Sequence, residues 1–318
     1  MYKIDLKKIY KCIIIGSGPA GYSASIYAAR SDLNPIILSG KLPGGQLTTT
    51  NRVDNYLGFP NGIDGVELMD NCKKQITRFD VKILNESVTS VLFSEKKGGI
   101  HKIFFGKKNK NVLKSQGVII ATGSTPNFLG IKNEKKLLGS GVSLCATCDG
   151  FFYKNKNVAI VGGGDTALEE ANYLAKICNN VYILVRKNYF KGSKILQHRI
   201  YKKKNINVLF QSTIVEIMGK NFLEGIKFFN NQDKKYETKM INGLFIAIGF
   251  YPNTKIFKNQ IDLTEKGFIV VEKGKTLTSN PGIFAAGDVQ DPDYRQAITS
   301  AGSGCMAALD LEKYLYSL

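Results

Sequence analysis

Cys12-Ile13-Ile14-Ile15-Gly16-Ser17-Gly18-Pro19-Ala20-Gly21 joins a short apolar run to a G-x-G-x-x-G turn, and a helix-like stretch continues from Ala20 to Arg30. A run without polar alternation is what a strand buried on both faces presents. The glycines permit a tight turn and close backbone approach, which leaves a pyrophosphate on the free N–H groups of the helix. The pattern recurs about 146 residues on (Gly16 against Gly162), where Val158-Ala159-Ile160-Val161 leads into Gly162-Gly163-Gly164-Asp165-Thr166-Ala167. Pro35 to Leu38 and Val181 to Val185 read as second strands. Val118 to Gly123 and Gly243 to Gly249 read as closing strands that end on a glycine turn. An internal repeat of this size predicts an α/β fold with two nested Rossmann-like dinucleotide-binding domains. The stretch from Pro252 to Leu318 is too short for a third domain and ends in a helical pattern, Ala297 to Tyr316. It is read as completing the first domain after the second has been inserted, with boundaries at 1–124, 125–252 and 253–318.

With 318 residues, 43% of them hydrophobic and 22% charged, the chain has the composition of an ordinary globular protein with room for two domains. No apolar run approaches the roughly 18 residues of a membrane span. The Lys-rich start lacks a signal-type apolar region, so a cytoplasmic, membrane-free protein is expected. The formal net charge of +18 invites a nucleic-acid reading. Its basic runs (Lys107-Lys108, Lys202 to Lys204, Lys234-Lys235) are scattered and lack an aromatic stacking platform, so no nucleic-acid partner is expected.

Six cysteines occur, and Cys12, Cys72, Cys178 and Cys305 stand alone in apolar or helical stretches, where small buried hydrophobes are expected. Cys145-Ala146-Thr147-Cys148-Asp149-Gly150 is different. Thiols at this spacing close a small disulfide ring, and one of them can be a thiolate near neutrality. Asp149 follows directly and is placed to carry a proton. A zinc site would need further ligands, yet His101 and His198 are the only histidines and no second C-x-x-C occurs.

Two dinucleotide turns beside a dithiol suggest a flavin and a nicotinamide. After the second turn, Val185-Arg186-Lys187-Asn188 and then Lys191 supply three cations and no carboxylate, which favours a 2′-phosphate and therefore NADPH. After the first, Leu38-Ser39-Gly40-Lys41 also lacks an acid, so a ribose would need the Ser39 hydroxyl or backbone groups. Farther on, Gly287-Asp288 ends a strand and can present a carboxylate to a ribityl hydroxyl, and Arg295-Gln296-Ala297 opens the last helix.

Together these residues resemble the low-molecular-weight thioredoxin reductases along essentially the whole chain. Gly16-Ser17-Gly18-Pro19-Ala20-Gly21, Gly44-Gly45-Gln46-Leu47, Ala121-Thr122-Gly123, the Cys145 to Gly150 hexapeptide with Phe151-Phe152-Tyr153, and Gly162 to Ala167 occur in that family's order. So do Gly287-Asp288, Arg295-Gln296-Ala297 and Ala301-Gly302-Ser303-Gly304-Cys305. The resemblance implies FAD held by the outer segments, Asn55 included, NADPH held by the inserted domain, a homodimer, and thioredoxin as the disulfide substrate. It implies that Cys148 faces the flavin, Cys145 attacks thioredoxin, and Asp149 donates the proton. Lys187 and Lys191 stand where many members have Arg, which keeps the charge but loses the two-pronged grip on phosphate. One rigid domain would carry both the nicotinamide and the disulfide, so it is expected to rotate about crossings near Gly123 to Asn127 and Gly249 to Asn253. The rival readings are a related flavoprotein serving another dithiol protein and a non-catalytic redox sensor.

Overall fold

The computed structural model describes residues 4–318; residues 1–3, at the start of the first expected segment, lie outside the described residues. The chain forms two compact units, one running to Thr125 and resuming over Tyr251–Leu318, the other Pro126–Phe250. The first opens with β1 (Ile9–Ile15), α1 (Pro19–Arg30), β2 (Ile36–Leu38), α2 (Gly65–Thr77), β3 (Lys82–Leu84), β4 (Val88–Leu92), β5 (His101–Phe105) and β6 (Asn111–Ile120). A crossing strand, β7 (Ser124–Pro126), leads to β8 (Val142–Ser143), α3 (Ala146–Asp149), β9 (Asn157–Val161), α4 (Asp165–Leu174), β10 (Asn180–Val185) and α5 (Lys194–Tyr201). The second unit continues through β11 (Ile206–Phe210), β12 (Ser212–Met218), β13 (Gly225–Asn230), β14 (Lys235–Met240) and β15 (Gly243–Ile246). After the return crossing β16 (Phe250–Pro252), β17 (Ile283–Ala285) and α6 (Ala297–Tyr316) complete the first unit.

In the first unit β3, β2, β1, β6 and β17 lie side by side and parallel. Beyond the N-terminal half of β6, β5 and β4 extend the sheet antiparallel. β1 explains the apolar run. Ile13 and Ile15 point into a cluster with Val118, Ile120 and Ile283, whereas Cys12 and Ile14 meet Ala24, Ala28, Phe284 and Leu311 on the other face. Both faces are covered, as a period of two requires of a parallel central strand. Each fully buried Ile adds roughly 1.5–3 kcal/mol.

The second unit repeats the plan with strands β11-β10-β9-β15-β8, all parallel, and a separate antiparallel sheet β12-β13-β14. Val158 and Ile160 of β9 pack with Leu168, Ala171 and Phe245, so α4 covers that face. Ala159 joins Ile226, Phe228 and Leu244 on the other, beneath the antiparallel sheet.

Of the four isolated cysteines, Cys12 and Cys178 are buried, but Cys72 and Cys305 are only half-buried, and all four are free thiols. The expectation of burial fails for the latter two because each sits on a helix (α2 and α6) where the buried stripe gives way to the exposed face. No helix among the described residues is long and apolar enough to cross a membrane.

Candidate active site

The two glycine turns are shaped by the strand that follows each of them in the sheet. A Cβ on Gly16 would lie 2.2 Å from the Ala121 carbonyl oxygen, and one on Gly21 2.0 Å from the Gly16 carbonyl oxygen. Likewise a Cβ on Gly162 would lie 2.3 Å from the Ala247 carbonyl oxygen. Gly16 and Gly162 also have φ of 112° and 145°, which L side chains rarely adopt. Gly18 and Gly164 are the N-caps of α1 and α4, and neither helix receives a side-chain cap. A Cβ on either would meet nothing within 4 Å. Each turn therefore offers uncapped N–H donors facing open space, which suits an anionic pyrophosphate.

Around the first turn, the Ser17 hydroxyl donates to the Ser39 carbonyl (2.9 Å) and accepts from Gly44 N–H (3.0 Å). That bond draws the Gly44-Gly45 turn over the motif, and a Cβ on Gly45 would come within 3.1 Å of Gly18 Cα. The Ser39 hydroxyl, a candidate ribose contact, is buried and donates to Asn85 Oδ1 at 3.2 Å. Beyond it Gly40, Lys41, Asn85 and Glu86 line part of a cleft of about 560 Å³. Leu47 is half-buried and packs beneath, while Gln46 donates to the Ser124 carbonyl.

Asp288 lies past the end of β17. Its carboxylate accepts from the Ser300 hydroxyl (3.0 Å) and the Ser124 hydroxyl (3.4 Å). Burial raises its pKa above the usual carboxylate value, and the Ser300 bond opposes that rise. Ser124 and Ser300 were not read as site residues; they follow Gly123 and open α6, and only the fold brings them to Asp288. Asn55 donates to Gln296 Oε1 at 3.2 Å, and Gln296 is the N-cap of α6. Arg295, just before it, has the left-handed φ of 47°. Thr122 donates to the Asn253 carbonyl (3.0 Å) beside Gly123.

Around the second turn the basic loop is tied down by its own backbone. Lys191 N–H and Gly192 N–H both donate to the Gly163 carbonyl, at 2.7 and 3.0 Å. Ser193 N–H donates to Asp165 Oδ1 at 2.8 Å, which engages the one carboxylate at the start of α4. Arg186 and Lys191 are exposed beside Gly163, with Thr166 on the first turn of the helix. Lys187 Nζ lies 2.6 Å from the Tyr189 hydroxyl and 4.8 Å from that ring's centre, and it lowers the Tyr189 pKa. Tyr189 carries no motif signal, so only the folded loop reveals it.

Cys145 and Cys148 are joined in a disulfide, their Cα atoms 5.3 Å apart across the single turn of α3. Cys145 is the N-cap, and its sulfur accepts from Cys148 N–H at 3.2 Å. A disulfide sulfur has no hydrogen, so the exposed Thr147 hydroxyl is the donor in its 3.3 Å contact with Cys145 Sγ. Asp149 N–H closes the turn on the Cys145 carbonyl at 3.1 Å. Burial raises the Asp149 pKa above the ordinary carboxylate value, while a hydrogen bond from Ser143 works against it. Burial, and secondly the Asp149 carboxyl, push Tyr153 up to about 12. A carboxyl with a raised pKa beside a redox-active disulfide is equipped to give and take a proton.

Comparison with known proteins places this geometry among relatives. A family model described as pyridine nucleotide-disulphide oxidoreductase matches residues 10–304. Thioredoxin reductase of Buchnera aphidicola subsp. Schizaphis graminum is 46% identical over 327 residues, covering 99% of this chain and 100% of the relative. Thioredoxin reductase of Rickettsia typhi is 46% identical over 313 residues, covering 98% and 99%. The crystal structure of thioredoxin reductase from Streptococcus pyogenes matches with a TM-score of 0.91 at 33% identity, over 98% of this chain and 99% of that one.

Proposed function

The chain belongs to the pyridine nucleotide-disulphide oxidoreductases and, within them, to the thioredoxin reductases; on that premise we propose that it is an NADPH-dependent thioredoxin-disulfide reductase that uses FAD and acts as a cytoplasmic homodimer. The observation that carries the reading is the Cys145–Cys148 disulfide, closed on one helical turn with the half-buried Asp149 carboxyl at its end. FAD would be held in the first unit by the Gly16 to Gly21 turn, the Gly44 to Leu47 turn, Ala121 to Gly123 and Asp288. NADPH would be held in the second by the Gly162 to Thr166 turn, with Arg186, Lys187 and Lys191 at the 2′-phosphate. The open space at Gly18 and Gly164 fits both assignments. When bound, the pair would carry a hydride equivalent from the nicotinamide to the flavin and so supply the electron pair that opens the disulfide.

The protein's own residues do the rest. Asp149 protonates one of the two sulfurs released when the disulfide opens. Cys145, capped by Cys148 N–H and the Thr147 hydroxyl, is the sulfur stabilised as a thiolate and attacks the thioredoxin disulfide. Cys148 then resolves the mixed disulfide. NADPH consumption in the presence of oxidised thioredoxin tests this. Turnover should require thioredoxin and both cysteines, and Cys148→Ser should trap thioredoxin covalently through Cys145. NADPH oxidation that ignores thioredoxin and persists without the cysteines would refute the assignment.

A further inference from the structure

Ser143, the last residue of β8, neither carries charge nor joins the disulfide, yet its side chain is enclosed, with 3% exposure. Its backbone is fixed by sheet register opposite Phe245 of β15. Three polar atoms surround its hydroxyl: Asp149 Oδ2 at 2.6 Å, Cys145 N–H at 3.1 Å and the Cys145 carbonyl at 3.2 Å. A hydroxyl has one hydrogen to give. It accepts from Cys145 N–H and cannot donate to the carboxylate and the carbonyl together. The 2.6 Å distance lies in the range of charge-assisted O–H···O⁻ bonds, so the hydrogen goes to Asp149 whenever that group is ionised. Protonation weakens Oδ2 as an acceptor, and the Cys145 carbonyl then competes for the same hydrogen. Oδ1 of Asp149 makes no hydrogen bond among the described residues.

We propose that Ser143 is a positioning residue for proton transfer at the dithiol: it pins Asp149 Oδ2, leaves Oδ1 as the proton-carrying oxygen, and couples the charge of the carboxyl to the backbone of Cys145. The inference rests on the reading of Asp149 as the proton donor. Opening the disulfide breaks the S–S bond and takes up the electron pair of a reduced flavin, which leaves two sulfur anions. Asp149 gives its Oδ1 proton to one of them, the other stays a thiolate, and the new carboxylate keeps the Ser143 hydrogen bond. The titratable neighbours of Asp149 are the two sulfurs, Tyr153, whose hydroxyl feels the carboxyl, and the side chains of α4, which packs on α3 and carries Glu170 and Tyr173. None of them replaces the Ser143 contact to Oδ2.

The test uses flavin-loaded enzyme with ¹³C-labelled aspartate carboxyls, the Asp149 signal being assigned by its loss in Asp149→Asn. Its titration is followed by NMR, and the opening of the disulfide by dithiothreitol is timed across the same pH range. Ser143→Ala should move both inflections upward by about one pH unit, because a hydrogen bond to the charged form is lost. Ser143→Thr should restore them, and Ser143→Cys, a near-isostere with a poorer donor, should fall between and serves if the alanine variant does not fold. In an Asp149→Asn background, Ser143→Ala should leave the dithiothreitol profile where it was. An unmoved titration in Ser143→Ala, or an equal shift of the profile without the carboxylate, would overturn the proposal. Failure of the wild type to reduce thioredoxin with NADPH would overturn the functional reading alone, since the carboxyl titration needs neither.

Discussion

Around Gly16 and Gly162 the same backbone crowding recurs, with carbonyl oxygens of Ala121 and Ala247 standing 2.2 and 2.3 Å from where a Cβ would be. What surrounds the two turns differs. The first is roofed by Gly44-Gly45 and followed by a strand end, Ser39 to Lys41, held to Asn85 and Glu86. The second is roofed by Lys191-Gly192, whose amides bond Gly163 and so hold the basic loop to the turn. A repeated strand–turn–helix offers uncapped N–H donors in either place, and under the proposed assignment the roofing loop would decide which nucleotide follows. Only the second unit carries the dithiol.

The largest expected effect tests the shared part. Gly16→Ala and Gly162→Ala each force a left-handed backbone and a main-chain clash, together costing about 2–5 kcal/mol. Gly16→Ala should purify without flavin and melt early. Gly162→Ala should stay yellow and fail to bind NADPH in calorimetry. Loss of flavin from Gly162→Ala would break the separation of the two sites.

Buried histidine separates the units in a second way. His198 is exposed on α5, but His101 on β5 is fully buried, and its Nδ1 accepts Ser94 N–H at 3.2 Å. Burial holds its pKa down to about 4 from an ordinary 6.5. Between those values the unfolded chain binds the extra proton and the folded chain does not. Stability is therefore complete above about pH 6.5 and declines as the pH falls toward 4, by about 3 kcal/mol in all. Urea midpoints at several pH values should show this slope in the wild type and a flatter one in His101→Gln. An equal slope in both would remove His101 as the cause.

The strand–turn–helix units were legible because their signal is local. The helix read as Ala297 to Tyr316 is α6 to the residue, and the run Cys12 to Ile15 is buried on both faces as its pattern implies. The antiparallel sheet β12-β13-β14 was not read. β14, Lys235 to Met240, has no buried residue, so its sequence lacks the alternation that betrays a strand. Ser143, Ser124 and Tyr189 escaped for another reason. A hydroxyl has no pattern of its own, and its role exists only once Asp149, Asp288 or Lys187 is folded against it.

The roofing loops make a graded pair of predictions for nucleotide choice. Arg186→Ala should weaken NADPH binding by about 1.5–3 kcal/mol, the range for hydrogen bonds to charged groups, and leave NADH nearly unchanged. Equal losses for both nucleotides would assign Arg186 to the scaffold. Tyr189 should matter less. It is half-exposed, and its contribution passes through Lys187, whose ammonium it holds by a 2.6 Å hydroxyl contact and by the ring face at 4.8 Å. Lysine is a flexible point charge without the fork of arginine, so a tether that limits its wandering lowers the cost of placing it against a phosphate. Tyr189→Phe keeps the ring and loses the hydroxyl, and should weaken NADPH roughly two- to fivefold, as expected of exposed pairs. Tyr189→Ala loses both contacts and should exceed that, while NADH affinity should stay level in each variant. High salt should shrink the Phe effect, since exposed charges are screened. A Tyr189→Phe enzyme that binds NADPH more tightly would instead show that the hydroxyl competes with the phosphate for Lys187. The tether would then be a brake on the second turn, with no counterpart at the first.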